Sequence, residues 1–218
     1  MASVKHFLEM YLLGVLAILP VVNPFSTIPL LLALTPNATP EARVRDVRRA
    51  SIYASMILIG SLFIGSLVIR FFGISMEALR IAGGLVISTI GMRMLFPGPE
   101  TAPISDPLAG KGKMDIALIP LAMPSLSGPG SIAIVITEST RLFAIPGVLS
   151  MIVGLTAVVA SIITVGTICW LVLRSSNKIA DLLGSHGIES IKRFMGFLLI
   201  CIGVQHIASG IQQFFRLF

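Results

Sequence analysis

The chain has 218 residues, 55% of them hydrophobic and 12% charged, with a mean hydropathy of +0.96. These values exclude an ordinary soluble globular domain and point to a chain whose solvent is a bilayer. The formal net charge of +6 does not mark a nucleic-acid binder, because Lys and Arg fall between apolar runs rather than on one face with interleaved aromatics.

Six runs reach the roughly 20 residues needed to cross a bilayer: 7–34, 50–72, 78–96, 116–136, 145–173 and 194–215. They fill nearly the whole chain, so a single integral membrane domain over 1–218 is expected. Lys5 precedes the first run as in a signal peptide, but no small-residue cleavage site follows, and the run is read as a retained first helix. The segments TPNATPEARVRDVRR, PGPETAPISDPLAGKGK and RSSNKIADLLGSHGIESIKR follow the first, third and fifth runs and read as loops. The middle one, about 98–113, is the expected linker between a first repeat over about 1–97 and a second over about 114–218.

Basic residues resist translocation and therefore orient the chain. Arg43, Arg45, Arg48, Arg49, Arg93, Lys111, Lys113, Arg174, Lys178, Lys192 and Arg193 fall on one side, eleven of the sixteen; Lys5, Arg70, Arg80, Arg141 and Arg216 fall on the other. The first, third and fifth loops are therefore expected inside the cell and both termini outside. Cys169 and Cys201 lie within apolar runs without a CxxC spacing or metal-ligand neighbours, and read as small hydrophobes.

The stretch LPVVNPFSTIPL aligns with IPLAMPSLSGPG so that Pro20, Pro24 and Pro29 meet Pro120, Pro124 and Pro129 at a constant offset of 100. At an offset of 112, Glu77, Arg80, Gly84 and Gly91 meet Glu189, Lys192, Gly196 and Gly203. Three crossings per half force the second copy to enter the membrane from the opposite side. The expected fold is all-α, with six transmembrane helices arranged as two inverted-topology repeats of three, the first and fourth helices discontinuous.

Proline lacks the amide hydrogen and its ring clashes with the preceding turn, so three prolines in ten residues interrupt a regular helix. In lipid such a break survives only when buried in protein or lining a wet cavity. Asn23, Ser26 and Thr27 in the first break, with Ser125, Ser127, Gly128 and Gly130 in the second, then supply hydroxyls, an amide and exposed backbone but no formal charge. Half-helix N-termini favour anions and C-termini favour cations, which together suit a small zwitterion. The plainer reading of each proline is a structural kink repaired by neighbouring helices.

The stretches NPFSTIPLLLALTP, FGISMEALRIAGGLVISTIGMRMLFP, IPLAMPSLSGPGSIAIVI and IESIKRFMGFLLICIGVQHIASGI are similar to the MarC family of bacterial and archaeal inner-membrane proteins, and the resemblance covers most of the chain. It implies a multi-pass protein of the bacterial cytoplasmic membrane. Likeness to the archaeal transporter SnatA implies glycine and alanine, small neutral amino acids, as substrates. The family's proline motifs fall here on Asn23, Pro24 and Pro29, and on Pro124, Gly128, Pro129 and Gly130. Phe25 and Ser26 stand where some members are expected to carry glycine or another small residue.

His206, beside Gln205 in the sixth run, is a candidate proton relay, with a neutral imidazole satisfied by a neighbouring helix as the structural alternative. Glu77 with Arg80 and Glu138 with Arg141 are spaced for local ion pairs that would anchor helix ends. Trp170 beside Arg174 reads as an interfacial anchor, and Gly83, Gly84, Gly91, Gly196 and Gly203 as close-packing positions. No HExxH, GxSxG or Walker motif occurs, so neither an enzyme nor a metal or cofactor is expected, and uphill movement would draw on a sodium or proton gradient. Export of drugs, which the family's resistance-locus name implies, and a non-transporting scaffold are the rival readings. A drug pocket should be larger and more aromatic than breaks whose one aromatic is Phe25.

Overall fold

The computed structural model describes residues 2–36, 38–96, 116–143 and 146–215, so the expected linker at 98–113, with Lys111 and Lys113, and Arg216 lie outside the described residues. Within them the chain is all-helical, with eight helices: α1 (Ala2–Val22), α2 (Pro24–Leu34), α3 (Pro40–Phe71), α4 (Met76–Leu95), an irregular helical segment Ala117–Leu126, α5 (Pro129–Phe143), α6 (Val148–Arg174) and α7 (Ser176–Phe215). Five spans are long and apolar enough to cross a bilayer, and a sixth is made when Ala117–Leu126 and Pro129–Phe143 are taken as one span bent by 64°.

Local chemistry sets the helix starts. Thr39 and Ser75 are extended residues whose hydroxyls accept the amide hydrogens of Ala42 (3.3 Å) and Ala78 (3.2 Å), capping α3 and α4. Glu41 and Glu77 occupy the first turns, and Arg70 and Arg93 the last, matching the helix dipole at both ends. The basic residues expected in the first loop thus belong to the opening turns of α3.

The loop expected after the fifth run is also helical, with α7 beginning at Ser176. Ile179, Ala180 and Leu183 pack on the core, so this polar stretch has an apolar face that hydropathy averaging concealed. Gly184, at φ 63 and ψ 179, divides it from the long membrane-spanning part of α7. That backbone region is essentially restricted to glycine.

The outer surface carries Leu13, Leu16, Ile64, Leu67 and Val148 well exposed, as a lipid-facing wall requires. Inside, α1 packs on α6 while Ala117–Leu126 packs on α3, and α2 touches α7 while α5 touches α4. The longest contact joins α4 to α7. A methyl group at Gly84 would approach the Gly203 carbonyl oxygen at 2.5 Å, and one at Gly91 the Gly196 carbonyl oxygen at 2.6 Å. Positions rise along one helix as they fall along the other, so the two run antiparallel. Gly83 faces Ala133 instead, where an added methyl would sit 3.3 Å from the alanine side chain.

Hydrogen bonds fix one end of the bundle and its interior. At one end Arg43, in α3, donates to the Thr35 carbonyl (2.6 Å), the Thr35 hydroxyl (2.9 Å) and the Asn177 side-chain oxygen (2.8 Å), tying α2, α3 and α7 together. Within the bundle the Ser139 hydroxyl donates to the Leu62 carbonyl, joining α5 to α3. Ser161 donates to the Tyr11 carbonyl at 2.9 Å and Tyr11 pairs with Thr164 at 3.0 Å, joining α1 to α6.

Candidate functional site

The first interruption is a single residue. Asn23 lies between α1 and α2 with φ 39 and ψ 77, a left-handed conformation that Asn adopts more readily than most residues. Pro24 follows as the first residue of α2, where its missing amide hydrogen leaves no helical bond unmade. The Asn23 amide closes α1 on the Leu19 carbonyl (3.0 Å), and its own carbonyl accepts from the Ser26 amide (3.2 Å) and hydroxyl (2.9 Å). Pro20 and Pro29 stay inside α1 and α2, so only the central proline of the three marks the break.

The second interruption is longer. Ile119 (φ −130, ψ 121) and Met123 (φ −126, ψ 123) are extended because each precedes a proline, whose ring disfavours the helical conformation at the residue before it. Around each of them the backbone closes a wide turn, Leu121 donating to the Ile116 carbonyl (3.3 Å) and Ser127 to the Ala122 carbonyl (2.8 Å). The Ser127 hydroxyl donates to the same Ala122 oxygen at 2.8 Å. At Gly128 an added methyl would sit 2.8 Å from the Pro124 carbonyl oxygen, so the close turn requires glycine. Pro129 then opens α5, and the Gly128 carbonyl accepts from the Ile132 amide (3.1 Å) and the Ser131 hydroxyl (2.9 Å).

The structure brings the interruptions together. The hydroxyls of Thr27 and Ser125 are 2.7 Å apart, and Gly130 lies against Val21 and Ile90. Asn23 is 3% exposed; its amide nitrogen points to the Met94 sulfur at 3.8 Å, and its side-chain oxygen is buried without a hydrogen-bond partner among the described residues. An unpaired buried acceptor costs about 1–3 kcal/mol. Ser26 and Ser127 spend their hydroxyls on their own segments, so the contacts that join the interruptions are the Thr27–Ser125 hydroxyl pair and Gly130 against Val21, with Asn23 one helical turn before Thr27.

His206 is elsewhere. It lines a cavity of about 400 Å³ between α4, α5 and α7, with Arg80, Glu138, Arg141, Gln205 and Gln212. Glu138 and Arg141 approach to 3.9 Å as their spacing predicts, whereas Glu77 and Arg80 form no ion pair within 4 Å among the described residues. A second cavity of about 430 Å³ shares Glu138 and Arg141 and runs between α1 and α5 as far as Ile18 and Ile134. The wider polar surface was readable in the last run, where Gln205, Ser209 and Gln212 recur at helical spacing on one face. A third cavity, about 540 Å³, opens between α3 and α6 beside Trp170, whose ring stacks under the Arg174 guanidinium at 5.3 Å.

No solved structure gives a significant match to this chain. Among curated proteins, it is 41% identical over 210 residues to the inner membrane protein MarC of Salmonella typhimurium, covering 94% of this chain and 95% of that protein. The MarC protein of Citrobacter koseri is 40% identical over 213 residues, and that of Escherichia coli O1:K1 40% identical over 210, with the same coverage. The pattern of the MarC family of integral membrane proteins matches residues 8–215. A match across almost the whole chain, with relatives at this identity and coverage, places the protein in the MarC family of integral membrane proteins.

Proposed function

We propose that this protein is a secondary transporter of small neutral amino acids, glycine and alanine, across the inner membrane by alternating access. The meeting of the two helix interruptions carries this reading. It combines two paired hydroxyls, one helical turn away an amide oxygen with no partner among the described residues, and glycine backbone that suits only a small ligand. The unpartnered Asn23 oxygen is a ready acceptor for a substrate ammonium, while the N-terminal end of α5 favours a carboxylate.

The arrangement of the halves supports an inverted repeat. Shifting by 112 turns the contact between Gly84 and Gly203 into that between Gly196 and Gly91, and both contacts are present. A pair of helices related in this way has a two-fold axis across it, as an isologous contact does. The packing of α1 on α6 has its counterpart in Ala117–Leu126 on α3. Inverted halves are the means by which one fold presents a site alternately to two sides.

In this reading the Arg43 end is cytoplasmic and both termini are outside. A sodium or proton gradient drives uphill movement, and His206 is the proton-relay candidate. Purified protein in liposomes should accumulate labelled glycine or alanine under an imposed sodium, proton or exchange gradient. Failure under all three conditions overturns the substrate assignment. A His206→Gln protein with unchanged transport and pH dependence removes that residue from coupling.

A further inference from the structure

We infer that the polar cavity at the Arg80 end is a second binding site, for the zwitterion of a free α-amino acid, occupied before the ligand reaches the interruptions; the inference rests on the transport reading. Every residue lining this cavity of about 400 Å³ is polar, in a chain that is 55% hydrophobic. The Arg141 side chain is 62% exposed and Gln205 and Gln212 are exposed, so the cavity is a water-accessible pocket at the end of the bundle, where charged side chains are held at little cost.

The charges suit both poles of one molecule. Arg80 has no carboxylate within 4 Å among the described residues, and Arg141 stands 3.9 Å from Glu138, beyond a direct hydrogen bond. The Arg80 guanidinium is therefore free to take a carboxylate by charge-assisted hydrogen bonds, while Glu138, held by Arg141 only at 3.9 Å, takes an ammonium. Gln205, Ser209 and Gln212 supply neutral donors and acceptors around them.

The cavity also lies on a route. Glu138 and Arg141 form its boundary with the cavity of about 430 Å³ between α1 and α5, which ends at Ile18 and Ile134, each 2% exposed. At 1.5 Å per residue these side chains stand about 6–8 Å along their helices from Gly130 and Asn23. The opposite end is held by Arg43 on Thr35 and Asn177. A ligand approaching from the Arg80 end thus meets the charged cavity first, then an apolar seal, then the paired hydroxyls.

The test is thiol protection. Ser209→Cys places a thiol in the cavity, and Cys201→Ser removes the exposed native one. The full-length protein, reconstituted in phosphatidylcholine vesicles, is treated with a membrane-impermeant methanethiosulfonate and labelling is read by mass spectrometry. Alanine at about ten times its dissociation constant should slow labelling about tenfold, since only the unoccupied fraction reacts. Glycinamide, which lacks the carboxylate, should give no protection. Arg80→Gln should raise the protecting alanine concentration about tenfold or more.

Absence of protection in a protein that carries alanine overturns this site and leaves the transport reading standing. Protection without transport supports the site and removes that reading. Loss of both overturns both, and equal protection by glycinamide overturns the carboxylate assignment. If Ser209→Cys does not fold, Gln212→Cys on the same face serves.

Discussion

Asn23 does two separable things. Its backbone occupies the left-handed region and its side chain presents an unpartnered buried oxygen. Asn23→Gly keeps the backbone freedom and removes the amide, so thermal stability should hold while glycine or alanine transport falls. Asn23→Ala should lose transport and also stability, by about 1–2 kcal/mol for a left-handed alanine; a drop in melting temperature larger than that of Asn23→Gly checks it. Thr27 and Ser125 belong in a double-mutant cycle. Thr27→Val and Ser125→Ala should show a coupling of about 0.6–1.7 kcal/mol, the range for hydrogen bonds between membrane helices, and additive effects would show the 2.7 Å contact to be energetically silent.

The first interruption was legible because an Asn beside a proline is unusual in an apolar run, whereas hydroxyls occur throughout the runs and mark a site only where prolines flank them. The residue-scale gap was the meeting of Arg80 with Glu138 and Arg141: the spacing presented two local ion pairs, of which Glu138–Arg141 forms at 3.9 Å and Glu77–Arg80 does not form within 4 Å among the described residues. Only the packing of α4, α5 and α7 turns them toward one cavity, and no local pattern encodes that convergence.

At the scale of elements, the α4–α7 contact makes a sharp demand. Gly84→Ala and Gly203→Ala each push a methyl into a facing backbone carbonyl or hydroxyl, and overpacking of this kind costs about 1–3 kcal/mol. Gly60, inside α3 with nothing within 4 Å of an added methyl, is the control: Gly60→Ala should be neutral or stabilising by up to about 1 kcal/mol. Thermal melts of the three variants in one detergent test the contrast, and equal melting temperatures would refute the close packing. Helix existence was readable from hydropathy nearly throughout, since six runs of bilayer length leave little freedom. Boundaries were not, because the polar beginnings of α3 and α7 are helical for reasons of capping and of an apolar face too narrow to raise the average hydropathy.

At the scale of the whole molecule, α2–α3 and α6–α7 join at the Arg43 end, while α3–α4 and α5–α6 join at the other. Cysteines introduced at Lys178 and Gln212 should therefore be labelled by impermeant reagents from opposite faces of oriented vesicles, Lys178 from the cytoplasmic one. Labelling of both from one face would refute the arrangement, and a C-terminal reporter active only in the cytoplasm would reverse its orientation.

The two interruptions are unequal: one residue wide at Asn23, drawn out over 117–128 in the second half. On the proposed alternating-access reading the halves trade roles and therefore shapes, so each half would serve as the template for the other in the opposite-facing state. Threading the first half on the backbone of the second yields a definite second conformer in which 17–28 is drawn out and the later segment is tightened. Spin-label distances across Val21 and Leu121 would then have two values to reach, both calculable from one set of coordinates.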